Sequence, residues 1–390
     1  MTRLKRDVHA PVRVVLWDGR EVSLSDDARV TFRLNDMNAA AALRRPSLEA
    51  LARAYIDGDA DIEGDVREAI QGAEAISRAA GIREGRGPSR SRHSREDDRE
   101  AISHHYDVSN EFYALWLDPR MVYSCAYFRS ECDSLETAQR QKLDHICRKL
   151  RLARGDRFLD IGCGWGALVI HAAREYGVDA TGITLSENQH RLATERIREA
   201  GLQDRCRVLL QDYRDLPGEG TFDKVASVGM FEHVGVANLP VYFGTVRRVL
   251  RERGLFLNHG ITSSDVDNRE VGLGAGEFIE RYVFPRGEVP HLHRAIHDMS
   301  AQDFEVHDVE SLRPHYAKTL GIWSAAFERN LEAAARASSE RTARIWRLYL
   351  AGCAHAFEQG RISIYQVLAT RRAEPGPTRL PLTREWMYPR

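Results

Sequence analysis

The stretch Arg157-Phe-Leu-Asp-Ile-Gly-Cys-Gly-Trp-Gly-Ala-Leu168 decides how the chain is read. Phe158 to Ile161 reads as a short strand, and a helix is expected from about Trp165. Gly162, Gly164 and Gly166 lie in the turn between them. Without a Cβ, the backbone there turns sharply and approaches a ligand closely. The helix N-terminus then points free N–H groups at whatever fills the turn. Tight strand-to-helix turns also use glycine for structural reasons alone, so the rest of the chain has to decide.

Working outward, a helix over Thr137–Leu150 precedes the stretch. Strands over 179–184, 206–210, 224–229 and 254–261 follow, with helices over 187–200 and 239–250 between them. Apolar strands alternating with helices predict a parallel α/β sheet, doubly wound and covered on both faces. Ligands of such sheets sit beyond the carboxyl ends of the strands. That rule gathers Gly162, Thr184, Asp212, Glu232 and His259 in space. A strand over 304–309, helices from His315 and over 340–358, and a last strand over 362–368 complete the pattern.

Upstream, residues 11–33 carry two partly alternating apolar runs around Asp18-Gly19, a hairpin signature. Helices are expected over 46–56 and 66–80, giving a small α+β domain over residues 1–81. Residues 82–101 mix six arginines with Gly, Pro and Ser and read as a flexible linker. Residues 102–390 form the main domain. Its first part, His104–Leu117 and Met121–Phe128, reads as aromatic segments laid over a pocket. His104 and His105 point apart in any regular element, so no metal is expected there. Two readings stay open for Arg341, Arg344 and Arg347, which share a helix face: contacts to anionic headgroups, or a solvated surface.

Hydrophobic content of 43% with 29% charged residues is that of an ordinary globular chain. A net charge of −1 argues neither for nor against an anionic partner, and no nucleic acid is expected. No run of about 18 apolar residues exists to span a membrane. The six cysteines form no Cys-x-x-Cys pair, which argues against structural zinc. The N-terminus lacks the apolar core of a signal peptide, so a cytoplasmic protein with free thiols is expected.

Asp160-Ile-Gly-Cys-Gly-Trp-Gly166 resembles the first motif of class I S-adenosylmethionine-dependent methyltransferases. Tyr123-Ser-Cys-Ala-Tyr-Phe128, Thr184-Leu-Ser-Glu-Asn-Gln189, Gly229-Met-Phe-Glu-His-Val234, His259-Gly-Ile261 and Tyr316 narrow the resemblance. They are similar to the cyclopropane-fatty-acyl-phospholipid synthase family, which includes mycolic acid cyclopropane synthases. Ala52-Arg-Ala-Tyr-Ile-Asp-Gly58 resembles the extra N-terminal domain of the bacterial phospholipid enzymes. The resemblance implies a Rossmann-like class I methyltransferase sheet and an S-adenosylmethionine cofactor. It implies an unsaturated phospholipid substrate met at the inner face of the membrane, and it allows a homodimer.

By the same resemblance, Tyr123, Ser124, Asp160, Gly162, Gly164, Gly166, Thr184, Gln189, Asp212 and Tyr213 hold the cofactor. No Asp or Glu ends the second strand, where many nucleotide sites grip the ribose; Thr184 and Gln189 take that region. Cys125, Glu232, His259, Ile261 and Tyr316 correspond to a pocket that holds bicarbonate, the base that collects a proton after methyl transfer to the alkene. Cys353 matches a family cysteine considered as a nucleophile, although beside Leu350 and Ala354 it is expected to be packed. The product implied is a cyclopropane ring. A methyl branch or methylene, and an inactive lipid-binding protein, stay open as alternatives.

Overall fold

The computed structural model describes residues 10–37, 39–82, 108–267, 272–285, 287–373 and 380–388. The linker from residue 83 onward, His104, His105 and Tyr106 lie outside the described residues. The fold divides into two compact units. The smaller gathers residues from 1–90, 265–285 and 320–362; the larger gathers those from 91–264, 286–319 and 363–390. The smaller unit therefore takes in two segments that lie far beyond residue 81.

In the smaller unit, β1 (Val12–Val15), β2 (Glu21–Ser23), β3 (Val30–Leu34) and β4 (Ala60–Glu63) form a sheet of order β2-β1-β3-β4. β1 and β2 make the expected hairpin, with Val14 opposite Val22. The second apolar run splits, however, and β3 lies parallel to β1. Helices α1 (Ala40–Arg44), α2 (Leu48–Ile56) and α3 (Val66–Ala79) follow the expected spacing. Ser47 caps α2 by accepting from the Ala50 N–H, and Asp65 caps α3 from Arg67 and Glu68. Long ion pairs tie α13 (Glu340–Glu358) into this unit. Arg347 forks onto Glu328 at 2.9 and 2.5 Å and reaches the Tyr55 hydroxyl at 3.0 Å. Arg344 meets Asp61 at 2.9 Å and Arg341 meets Asp57 at 2.6 Å. Arg344 and Arg347 are thus committed to internal partners, which corrects both readings for them, while Arg341, paired but 55% exposed, keeps its place on a solvated surface.

The larger unit holds a seven-stranded sheet of order β10-β11-β9-β8-β5-β6-β7. Its strands are β5 (Arg157–Ile161), β6 (Asp179–Thr184), β7 (Cys206–Leu210), β8 (Phe222–Val228), β9 (Leu250–Ser263), β10 (Phe304–Ser311) and β11 (Ile362–Arg371). β5 pairs parallel with β6 and β8, β6 with β7, and β8 with β9. The parallel expectation fails at one edge, where β10 and β11 run antiparallel. Along β5, Phe158 joins the core under α5 (Leu135–Lys149), while Leu159 and Ile161 join the core under α8 (Leu239–Val249). Both faces are covered, as continuous apolar strands require. The chain leaves β5 toward β6 and β7, then returns to β8 on the other side of β5. That reversal opens a crevice at the carboxyl ends of β5 and β8.

The aromatic segments upstream are core, not a loose cover. Phe112 and Tyr113 are fully buried and Trp116 is 2% exposed. Tyr113 packs on Trp165 at 5.0 Å and Trp116 meets Tyr123 edge-on at 5.3 Å.

Candidate active site

A pocket of ≈ 140 Å³ lies at the crevice between β5 and β8. Tyr123, Ser124, Asp160, Gly162, Gly164, Thr184, Gln189, Asp212 and Tyr213 all line it. Nine of the ten residues expected around the cofactor therefore meet in one cavity. Gly166 is the exception. It caps α6 (Ala167–His171) at φ 82°, and a Cβ there would press on Ala193 at 3.1 Å. Its task is packing against α7 (Glu187–Glu199). Gly164, at φ 55°, has open space where a Cβ would stand.

Thr184 donates to the Gln189 Oε1 at 2.7 Å, which leaves the Gln189 amide N–H groups for another acceptor. Both Asp212 oxygens are taken by Arg214, at 2.9 and 2.6 Å. Arg214 lines the pocket too and was not singled out from the sequence.

Two further residues were missed. Gln139 and Lys142 lie on the inward face of α5 at i, i+3 spacing, both buried. Gln139 donates to the carbonyls of Val122 and Ser124 at 3.2 and 2.9 Å, and Lys142 donates to the Ser124 hydroxyl at 2.7 Å. Together they pin the Met121–Cys125 segment along the pocket. Phe158 and Asp160, two apart on β5, face the same side of the sheet, toward α5. Burial raises the Asp160 carboxyl to about 7, with the Lys142 ammonium pulling the other way, and Asp160 Oδ1 has no hydrogen-bond partner. Burial likewise lowers Lys142 to about 8, opposed by nearby Cys125, Asp118 and Asp160.

Hydrogen bonds and short strand steps link the second group of expected residues. Cys125 follows Ser124, and its thiol is 3.8 Å from the Leu312 carbonyl. The Tyr316 N–H donates to that same carbonyl at 3.0 Å, and the Leu312 N–H donates to Ile364 on β11. Two residues along β11, Gln366 contacts His259 Nδ1 at 3.1 Å. His259 and Ile261 share a face of β9. The Ile261 N–H donates to Glu232 Oε1 at 2.6 Å. Gln366 was also missed; its signal was a polar residue inside an apolar strand.

Three polar side-chain atoms along these links are buried without a partner among the described residues, Glu232 Oε2, His259 Nε2 and Gln366 Oε1. Burial raises the Glu232 carboxyl to about 7 and holds His259 well below its ordinary value, hence neutral. An orphaned carboxyl oxygen and an orphaned imidazole nitrogen each leave a place for a polar partner. Cys125 is fully buried and its thiol is pushed far up, so it stays protonated.

Cys353 belongs to the smaller unit. It lines an apolar pocket of the smaller unit with Leu348, Tyr349 and Phe278, and burial pushes its thiol up to about 12. A thiol so disfavoured as thiolate is a poor nucleophile. Among the described residues no cluster of His, Cys, Asp and Glu could hold a metal ion, and no helix is long and apolar enough to cross a membrane.

Residues 93–367 match the family model of mycolic acid cyclopropane synthetase, and residues 1–79 match a domain of unknown function. A probable fatty acid methyltransferase of Pseudomonas putida is 51% identical over 98% of both chains. The cyclopropane-fatty-acyl-phospholipid synthase of Escherichia coli is 42% identical over 70% of this chain and 68% of its own. The solved cyclopropane synthase MmaA2 from Mycobacterium tuberculosis shares 34% identity, with TM-score 0.67 over 70% of this chain and 98% of that one. Mycolic acid cyclopropane synthase CmaA1, complexed with SAH and CTAB, shares 35% identity with TM-score 0.66 over the same proportions. A glycine-lined pocket at the switch point of a class I methyltransferase sheet, with family matches along nearly the whole chain, leads to one conclusion: this is an S-adenosylmethionine-dependent methyltransferase and belongs to the mycolic acid cyclopropane synthetase family.

Proposed function

We propose that the chain transfers a methylene group to the cis double bond of unsaturated acyl chains in membrane phospholipids, forming a cyclopropane ring. The observation that carries this reading is the pair of orphaned buried atoms, Glu232 Oε2 and His259 Nε2, on residues linked through Cys125 and Ser124 to the pocket lined by Gly162 and Gly164. S-adenosylmethionine supplies an electrophilic methyl on a sulfonium. Gly162, Gly164, Thr184, Gln189 and the Ser124 segment are the residues that would hold it, and Gly164 leaves room for it. The alkene π electrons form the new carbon–carbon bond, and the added carbon must then give up a proton for the ring to close. Bicarbonate held by Glu232 and His259 would supply the base. Ionised Glu232 would accept a hydrogen bond from the anion's hydroxyl, while neutral His259 would donate or accept one according to its tautomer. A dry setting strengthens each of these contacts.

A methyl-branched product is a second reading, favoured by the Pseudomonas putida relative, whose name is probable fatty acid methyltransferase. That outcome needs a hydride donor besides the methyltransferase. Mass spectrometry of lipids from expressing cells separates the two. A gain of CH₂ per modified chain is expected here; a gain of CH₄ would assign the branched product, and unchanged lipids would remove both.

Cofactor binding has its own measurement. S-adenosylhomocysteine at roughly 100-fold excess over its Kd should stabilise the folded chain by about 2.7 kcal/mol, read as a rise in melting temperature. An unmoved transition would mark a scaffold that has lost the donor.

A further inference from the structure

The larger unit carries a second cavity, a groove of ≈ 620 Å³ walled by α5, α6 and the end of α7. Among the described residues six arginines line it, Arg120, Arg129, Arg140, Arg148, Arg174 and Arg196, against three carboxylates, Asp144, Glu175 and Glu199. Asp144 is spent on Arg148 at 2.5 Å, and Arg120 is paired with Glu136 at 2.9 Å. Arg196 is held by the carbonyls of Arg120 and Pro119, with the carboxylates of Asp118 and Glu199 close enough to act on its charge. The side chains of Arg140 and Arg174 form no hydrogen bond or ion pair among the described residues. His171 adds a buried Nε2 without a partner. The other wall is apolar, built from Trp165, Ala167 and Ile170. Trp165 and Ala167 also line the donor pocket, so the two cavities share a wall.

Cations gathered in a concave site focus their field on an anion, and guanidinium forks match phosphate oxygens. The apolar wall does nothing for a bare ion but suits a phosphate that carries an organic body. We propose that this groove binds the phosphate of an anionic lipid headgroup and so docks the protein on a lipid surface. The choice of a lipid rests on the functional reading above; the recognition of phosphate rests on the groove alone.

The test uses the full chain with vesicles of saturated phosphatidylglycerol, which offer no alkene, and with phosphatidylcholine vesicles and inorganic phosphate alongside. Arg140→Gln combined with Arg174→Gln is expected to weaken binding to phosphatidylglycerol vesicles roughly 30-fold. Arg336→Gln with Arg53→Gln, the same charge removed from the smaller unit, should leave it unchanged. The melting shift with S-adenosylhomocysteine should persist in both pairs, which reports an intact fold. Competition by inorganic phosphate would support phosphate recognition. Equal binding by the groove variant and its parent would overturn the site, and phosphate binding without vesicle binding would overturn the lipid source. Arginine-dependent vesicle binding by a chain that modifies no lipid would sink the functional reading and leave the docking site standing.

Discussion

Glu232→Gln is expected to lower turnover by roughly 10²–10⁴-fold while the Kd for S-adenosylhomocysteine changes only a few-fold. The reason is positional. Glu232 does not line the donor pocket, and its free Oε2 belongs to the linked group of Ile261, His259 and Gln366. Glutamine keeps the size and still accepts from the Ile261 N–H, but it cannot take a negative charge. His259→Ala should give a comparable loss. Near-normal turnover in both variants would remove the proposed base pocket. The same substitution has a second, opposite effect. The Glu232 carboxyl rises from its ordinary 4.5 to about 7 on folding, because burial outweighs the Ile261 N–H. The folded chain therefore binds more protons than the unfolded chain between those values, so stability falls as pH climbs from about 4.5 to about 7. Glutamine does not ionise. The variant should be the more stable protein above pH 7, by up to about 3 kcal/mol, and should match its parent below pH 4.5. Denaturant melts at pH 5 and pH 8 read this directly; a pH-independent difference would contradict the shifted carboxyl.

Lys142→Met should do the reverse, damaging stability and cofactor binding together. The ammonium is 1% exposed and donates to Ser124, and it offsets the charge of buried Asp160. Removing it takes away the charge that opposes the burial of Asp160 and breaks the charge-assisted bond to Ser124, a loss of about 1.5–3 kcal/mol. Asp160 can escape by taking up a proton, so the cost should be largest at pH 8 and shrink below pH 7. It should also loosen the Ser124 segment and weaken S-adenosylhomocysteine binding by about tenfold. Adding Asp160→Asn should recover much of the lost stability, and the double-mutant cycle measures the coupling. Unchanged melting and affinity in Lys142→Met would show that the contact is idle.

The glycine turn, the five parallel strands and nine of the ten pocket residues were readable because local signals agreed: apolar runs of strand length, glycines where positive φ is needed, and polar residues just past strand ends. What escaped was non-local. The parallel pairing of β3 with β1 depends on which edge is free, which no local pattern encodes. The antiparallel β10–β11 edge follows a connection of some fifty residues, 312–361, long enough to return the chain in either sense. Gly166 was grouped with its neighbours by the resemblance of the motif, although its missing Cβ answers to Ala193. Lys142 and Gln139 did leave a mark. Together with Ile146 they occupy the helix stripe that should be wholly apolar, and polar residues on such a stripe need partners. Their partners, Ser124 and Val122, lie on a segment without regular structure, so the sequence offered nothing to pair them with.

Ser124 faces the donor pocket and Cys125 bonds into the Leu312–Gln366–His259 links, so one peptide unit separates the two chemical compartments. A trans peptide fixes its flanking α-carbons about 3.8 Å apart. The chain thus carries a covalent ruler between the glycine-lined pocket and the proposed base site, with α5 as the clamp that keeps it straight. Relatives that alter the fate of the cation would be expected to move the ruler's clamp before they change either end.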